Sequence, residues 1–249
     1  MKNIISLSSL PVLSFLLLIP AWGYAQEKKH EITEIWEPQP RKITPGKGTQ
    51  PPSDAIVLFD GSGLEQWQHA DGSPAKWNVQ NGVVTVNPGS GSITTKKDFG
   101  DMQLHLEFMC PESDRDEGQY KSNSGVYIQN RYEVQVLDSY DNKTYANGQA
   151  ASIYKQHIPL VNASRKPGEW QTYDIIYQAP RFNEAGRVVI PARITVLHNG
   201  VLVQNRVTIQ GRTSFVGAPK YQKHDLKKPF SLQDHGDLVS YRNIWVREL

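Results

Sequence analysis

The sequence predicts an all-β chain folded as a jelly-roll sandwich of two antiparallel sheets, and three observations carry that reading. First, Asn81 and Gly82 separate residues 76–80 from residues 83–86, and Asn199 and Gly200 separate residues 194–198 from residues 201–204. Asn-Gly between two apolar runs is a strong hairpin signal, because both central residues of a type I′ turn need positive φ. Second, residues 102–110, 125–129, 132–137, 172–178 and 238–246 are further runs of strand length and strand composition. Third, no segment keeps a 3.6-residue apolar period over three turns, so helices should be few and short. Strands that do not alternate with helices argue for antiparallel pairing, and the lack of an internal repeat argues against a propeller.

Taken in order, the chain begins with Lys2 and the mostly apolar residues 4–19. Gly23 and Ala25 then offer small side chains at the −3 and −1 positions for cleavage before Gln26. Residues 1–25 are expected to be a signal peptide, which makes the protein exported, periplasmic or secreted. The apolar stretch is interrupted by Ser6, Ser8, Ser9, Pro11 and Ser14 and falls short of the ~20 apolar residues of a spanning helix. No membrane attachment is therefore expected after cleavage. Residues 26–53 carry Pro38, Pro40, Pro45, Pro51 and Pro52 with no strand or helix period, and read as an extended arm or linker. Residues 54–249 should form one β-sandwich domain.

The composition narrows the function classes. A net charge of +2, from 27 basic and 25 acidic residues, argues against a nucleic-acid binder, which concentrates Lys and Arg to neutralise phosphates. The single cysteine, Cys110, ends a strand-like run and is expected to be a small buried thiol. Six Trp and eleven Tyr supply faces on which sugar rings stack, although the same side chains also fill cores.

Alternation along each strand sorts side chains onto two faces. Met102, Leu104, Leu106, Phe108 and Cys110 form a core face, opposite Gln103, His105 and Glu107. Tyr132, Val134 and Val136 oppose Glu133, Gln135 and Leu137, and Val126 and Ile128 oppose Tyr127 and Gln129. If these strands were neighbours in one sheet, His105, Glu107, Tyr127, Gln129, Glu133 and Gln135 would share a polar patch. An antiparallel sheet normally has one solvated polar face that needs no function. The choice of His, Gln, Glu and Tyr, rather than Lys, Thr and Ser, favours a site. Gln233, Asp234 and His235 form a second polar group, in a loop just before the last strand. His69, His157 and His224 are no better placed, and no metal-binding spacing, nucleophile elbow, phosphate loop or dinucleotide fingerprint occurs.

Seven stretches, in order, resemble the 3-keto-disaccharide hydrolase family. They are Leu58-Phe59-Asp60-Gly61 with Leu64 and Trp67; Asn123-Ser124-Gly125-Val126-Tyr127; Tyr132-Glu133-Val134-Gln135-Val136-Leu137-Asp138; Pro167-Gly168-Glu169-Trp170; His198-Asn199-Gly200-Val201; Leu232-Gln233-Asp234-His235-Gly236; and Tyr241-Arg242-Asn243-Ile244-Trp245. The resemblance covers residues 55–249 and implies a concanavalin A-like sandwich acting on a carbohydrate substrate. The charged residues 112–121 and the Pro-rich arm depart from the family pattern and stand where they would reshape access.

The resemblance also implies a chemistry. Sandwich glucanases of this fold use two carboxylates on one strand, here replaced by Glu133, Gln135 and Asp138. Retaining hydrolysis needs the carboxyl groups about 5–5.5 Å apart, but Glu133 and Asp138 have opposite parity and would need a bulge to share a side. A ketone at C3 of a sugar acidifies the C2 proton, so a base can remove it, the C1 substituent can leave and water can add. The expected base is Glu133 or His235, partnered by Asp138 or Glu107. Asn123, Tyr127, Gln135, Gln233 and Arg242, with Glu107, are expected to bind hydroxyls and the keto oxygen. Glu107, Glu133, Asp138 and His235 are also candidate ligands for a divalent cation, although no spacing demands one. The alternative is a non-catalytic carbohydrate-binding module, since one fold hosts both.

Overall fold

The computed structural model describes residues 30–112 and 117–249. The expected signal peptide lies outside the described residues, as do residues 26–29 of the arm. The chain divides into two units, Met1–Lys42 and Ile43–Leu249. The described part of the first is a 3-10 turn at His30–Thr33 followed by exposed chain. Residues 43–53 belong to the second unit. No helix among the described residues is long and apolar enough to cross a membrane.

Fifteen strands are present among the described residues. The first five are β1 (Ile56–Phe59), β2 (Trp67–Gln68), β3 (Asn78–Gln80), β4 (Val83–Thr85) and β5 (Ile93–Thr95). The next five are β6 (Met102–Met109), β7 (Ser124–Ile128), β8 (Tyr132–Val136), β9 (Gln171–Gln178) and β10 (Arg181–Phe182). The last are β11 (Val188–Ile190), β12 (Arg193–His198), β13 (Val201–Thr208), β14 (Ser231–Leu232) and β15 (Ser240–Glu248). A large antiparallel sheet runs β13-β12-β9-β6-β15-β4-β3, with β1 also on β15, and a smaller one runs β2-β5-β14-β7-β8. The all-β sandwich of two antiparallel sheets is therefore the observed fold. Both Asn-Gly pairs are hairpin turns, with φ of 52° and 76° at Asn81 and Gly82 and of 53° and 77° at Asn199 and Gly200.

The core lies between the sheets. Leu104, Leu106, Phe108, Tyr173, Ile175, Tyr177, Ile194 and Val196 face inward from the large sheet. Val126, Ile128, Tyr132, Val134 and Val136 meet them from the small one. Burial of this apolar area, at roughly 25 cal/mol per Å², is the main stabilising term. Three buried tyrosines of the large sheet also donate hydrogen bonds across the core. Tyr177 reaches Gln129 Oε1 (2.9 Å), Tyr173 the Gln135 carbonyl (2.7 Å) and Tyr241 Ser124 Oγ (2.7 Å). Each hydroxyl is thereby satisfied where burial would otherwise be costly.

The two sheets correct one expectation. β6 belongs to the large sheet while β7 and β8 belong to the small one, so His105 and Glu107 do not join Tyr127, Glu133 and Gln135. His105 and Glu107 are instead cross-strand partners of Asp174 and Arg242. His105 Nδ1 lies 2.7 Å from Asp174 Oδ1, and the ring stacks on Trp245 at 5.1 Å. Glu107 accepts from Arg242 Nε (2.6 Å), Asn243 Nδ2 (3.0 Å) and Thr49 Oγ1 (2.9 Å). A bulge between Arg242 and Trp245 turns Asn243 toward Glu107, and the backbone carbonyl of Thr49 accepts from Asn243 and Trp245. Part of the Pro-rich segment is thus bonded to the polar face of the large sheet. Burial pushes the Glu107 carboxyl up, but the bonds from Asn243, Arg242 and Thr49 hold it below its ordinary value.

Candidate active site

The other polar face, on the small sheet, is concave and encloses a pocket of about 220 Å³. Its walls are Asn123, Tyr127, Glu133, Gln135, Tyr154, Thr213, Phe215, Gln233 and His235. Six of these come from the stretches singled out in the sequence. They meet because β7 pairs with β8 so that Tyr127 faces Glu133 and Gly125 faces Gln135, while β14 lies on the other side of β7. β8 is not left as a bare edge, since Ala151 donates to the Gln135 carbonyl (2.9 Å) and Tyr154 to that of Glu133 (3.2 Å).

Glu133 is the centre of the pocket. It is 3% exposed, and burial raises its carboxyl to about 7, against the hydrogen bond donated by Tyr127 Oη to Oε2 (2.8 Å), which lowers it. A carboxylate near neutrality can both take and return a proton at physiological pH. Gly125 makes room for it: a Cβ there would lie 2.7 Å from Glu133 Oε1 and 3.1 Å from the Tyr127 ring. The Gln135 side-chain amide nitrogen donates to Glu133 Oε1 (3.1 Å) and to the Ser124 carbonyl (3.0 Å).

The supporting contacts are specific. Tyr241 donates to Ser124 Oγ, which donates to the Gln233 carbonyl (2.6 Å), so a chain of hydrogen bonds from the core sets the Gln233 backbone. Gln233 Nε2 lies 3.5 Å from Tyr127 Oη, and its buried Oε1 accepts no hydrogen bond among the described residues. Such an atom suits a ligand hydroxyl. Asp234 accepts from the amides of Gly89 (2.8 Å), Gly91 (2.9 Å) and Gly236 (2.9 Å), fixing the loop that presents the exposed His235 to the pocket. Asn123 is anchored by its amide to Asp237 (2.8 Å) and by its side chain to the Gln119 carbonyl (2.7 Å).

Several expected site residues lie elsewhere. Glu107 and Arg242 pair with each other on the large sheet, where the Arg242 guanidinium stacks on Trp170 at 4.0 Å. Asp138 is buried beyond the end of β8, 3.3 Å from Lys121 Nζ, and does not line the pocket. Gln129 takes positive φ and turns inward, donating to the Phe99 and Leu226 carbonyls. His69, His157 and His224 bond to Ser92, Thr208 and Tyr132 in supporting roles. Cys110 is buried, and burial raises its thiol. The four candidate cation ligands are not gathered, and no group of three or more His, Cys, Asp or Glu able to hold a metal ion occurs among the described residues.

Tyr154, Thr213 and Phe215 were not anticipated. Tyr154 Oη and Tyr145 Oη are 2.5 Å apart, and Lys155 Nζ sits 3.9 Å from the centre of the Phe215 ring. Thr213 Oγ1 accepts from the backbone amide of Glu133 (3.0 Å). Phe215 is 71% exposed at the rim. These side chains sit on irregular loops where no periodicity marks them.

A β-sandwich with a polar concave face, a buried near-neutral carboxyl and an aromatic rim has the make-up of a carbohydrate-active protein. Comparison with known proteins defines the family. Residues 54–247 match the 3-keto-alpha-glucoside-1,2-lyase-like domain, and the chain belongs to that family. A 3-keto-disaccharide hydrolase of Bacteroides thetaiotaomicron is 29% identical over 80% of this chain and 81% of its own. The crystal structure of a proposed glycosyl hydrolase from Parabacteroides distasonis is 50% identical, with a TM-score of 0.85 over 88% of this chain and 96% of that one. A second from the same organism, at 23% identity, TM-score 0.57 and coverage of 78% and 99%, shares the fold.

Proposed function

We propose that this protein is a carbohydrate-active hydrolase or lyase that cleaves 3-keto-glycosides, with Glu133 as the base. The observation that carries the reading is the buried Glu133 carboxyl, raised to about 7 and held by Tyr127 in a sugar-sized pocket. Glu133 removes the C2 proton, the C–H electron pair forms the C2–C3 double bond, and the C3 carbonyl oxygen becomes an enolate. The C3 carbonyl then re-forms, and that pair makes a C1–C2 double bond as the C1 substituent leaves with its bonding electrons. Water adds at C1 and passes its proton to His235, and C2 regains a proton from Glu133 once that carboxyl has exchanged with solvent. Tyr127 orients the carboxylate, Asn123, Gln135 and Gln233 bind the hydroxyls and keto oxygen, and His235 protonates the leaving oxygen. Phe215 stacks against a sugar face.

Burying a carboxyl costs free energy that a passive binder has no reason to spend, which favours catalysis over a carbohydrate-binding module. The test is turnover of a 3-keto-glycoside by the wild type, Glu133→Gln and His235→Ala. The proposal expects wild-type turnover, loss in the first variant and slowing in the second. Wild-type binding without turnover identifies a binding module instead.

A further inference from the structure

A second groove, of about 410 Å³, opens on the same loop and shares Thr213 and Phe215 with the Glu133 pocket. Its other walls are Arg212, Ser214, Ala218, Lys220 and Gln222, none of them acidic. Arg212 and Lys220 face each other across an antiparallel bridge, with the Arg212 amide donating to the Lys220 carbonyl (3.1 Å). Gly211 permits this closeness, since a Cβ there would meet the Lys220 backbone at 2.4 Å. Directly opposed like charges repel, and neither side chain forms an ion pair among the described residues. Burial and the neighbouring Glu133 carboxylate push the Tyr127 hydroxyl up, and the Arg212 charge opposes them weakly. The loop is tied to the base itself through the bond from the Glu133 amide to Thr213.

We infer that this groove is a subsite for the substrate's leaving group, and that Arg212 and Lys220 select a leaving group carrying a carboxylate. The inference rests on the glycoside reading of the Glu133 pocket and adds the chemical class of the group beyond C1. A carboxylate relieves the repulsion of the opposed cations and accepts hydrogen bonds from the forked guanidinium of Arg212.

The test uses two unoxidised aryl glucosides of the same anomer, one with a 4-carboxylate and one with the neutral 4-carboxamide. Binding to the full chain is measured by titration calorimetry. The carboxylate should bind about fivefold more tightly, as two exposed ion pairs allow. That preference should fade as added salt shortens the Debye length from about 30 Å to about 3 Å. In Arg212→Ala/Lys220→Ala the two ligands should bind equally, and Arg212→Gln alone, a milder change, should reduce the preference. Equal binding by the wild type, no binding of the carboxylate, or a preference that survives the double variant overturns the inference. Because the probes carry no ketone, failed turnover of 3-keto-glycosides counts against the Glu133 chemistry and leaves these binding constants standing.

Discussion

Replacing Tyr127 with Phe removes one hydroxyl and tests the electrostatics of the site at a single atom. Tyr127 Oη donates to Glu133 Oε2 at 2.8 Å, inside a pocket where Glu133 is 3% exposed. Hydrogen bonds to charged groups are worth about 1.5–3 kcal/mol, and the pocket's open mouth argues for the low end. Losing about 1.4 kcal/mol of preference for the ionised form moves the carboxyl up by about one unit. From about 7, the group then titrates near 8, and the ionised fraction at pH 7 falls from about a half to about a tenth. The assay is the pH profile of kcat/KM on a 3-keto-glycoside. Tyr127→Phe should be about fivefold slower than the wild type at pH 7 and within about twofold at pH 9, with its acidic limb moved up by about one unit. An unmoved limb, or a loss that high pH does not restore, refutes the reasoning.

Glu133→Gln should stabilise the fold above neutrality. The folded carboxyl is raised from 4.5 to about 7, so the folded state binds the extra proton, and stability is lost as pH rises through that window. Thermal denaturation at pH 8 should show the variant more stable by about 2–3 kcal/mol, with the gap closing near pH 4. Gly125→Ala brings a methyl to within 2.7 Å of Glu133 Oε1, and steady-state kinetics should show roughly a hundredfold loss in kcat/KM in a folded protein. Glu107→Ala breaks the bonds to Arg242, Asn243 and Thr49. Chemical denaturation should report a cost of about 2 kcal/mol, allowing for the partly exposed Arg242, with kcat unchanged.

Strand periodicity made the sandwich legible, and it placed Glu133 and Gln135 opposite Tyr132 and Val134 correctly. It did not show which strands share a sheet. The polar faces of β6 and of β7–β8 look alike in sequence, yet one carries paired side chains bonded by Thr49 and the other presents the buried Glu133 carboxyl to its pocket. Asp138 fell outside the site because it lies beyond the last regular residue of β8, where parity no longer sets direction. Tyr154, Thr213 and Phe215 escaped notice because tertiary bonds to β8, not local pattern, bring their loops to the pocket.

Proton abstraction at C2 by Glu133 is tested most directly by deuterium. A 3-keto-glycoside is incubated in D2O with wild type, with Glu133→Gln and without protein, and C2 of the sugar product is read by NMR. The account predicts deuterium at C2 of product released by the wild type, above the protein-free background, and none above background with Glu133→Gln. Cleavage by the wild type with hydrogen fully retained at C2 would contradict it.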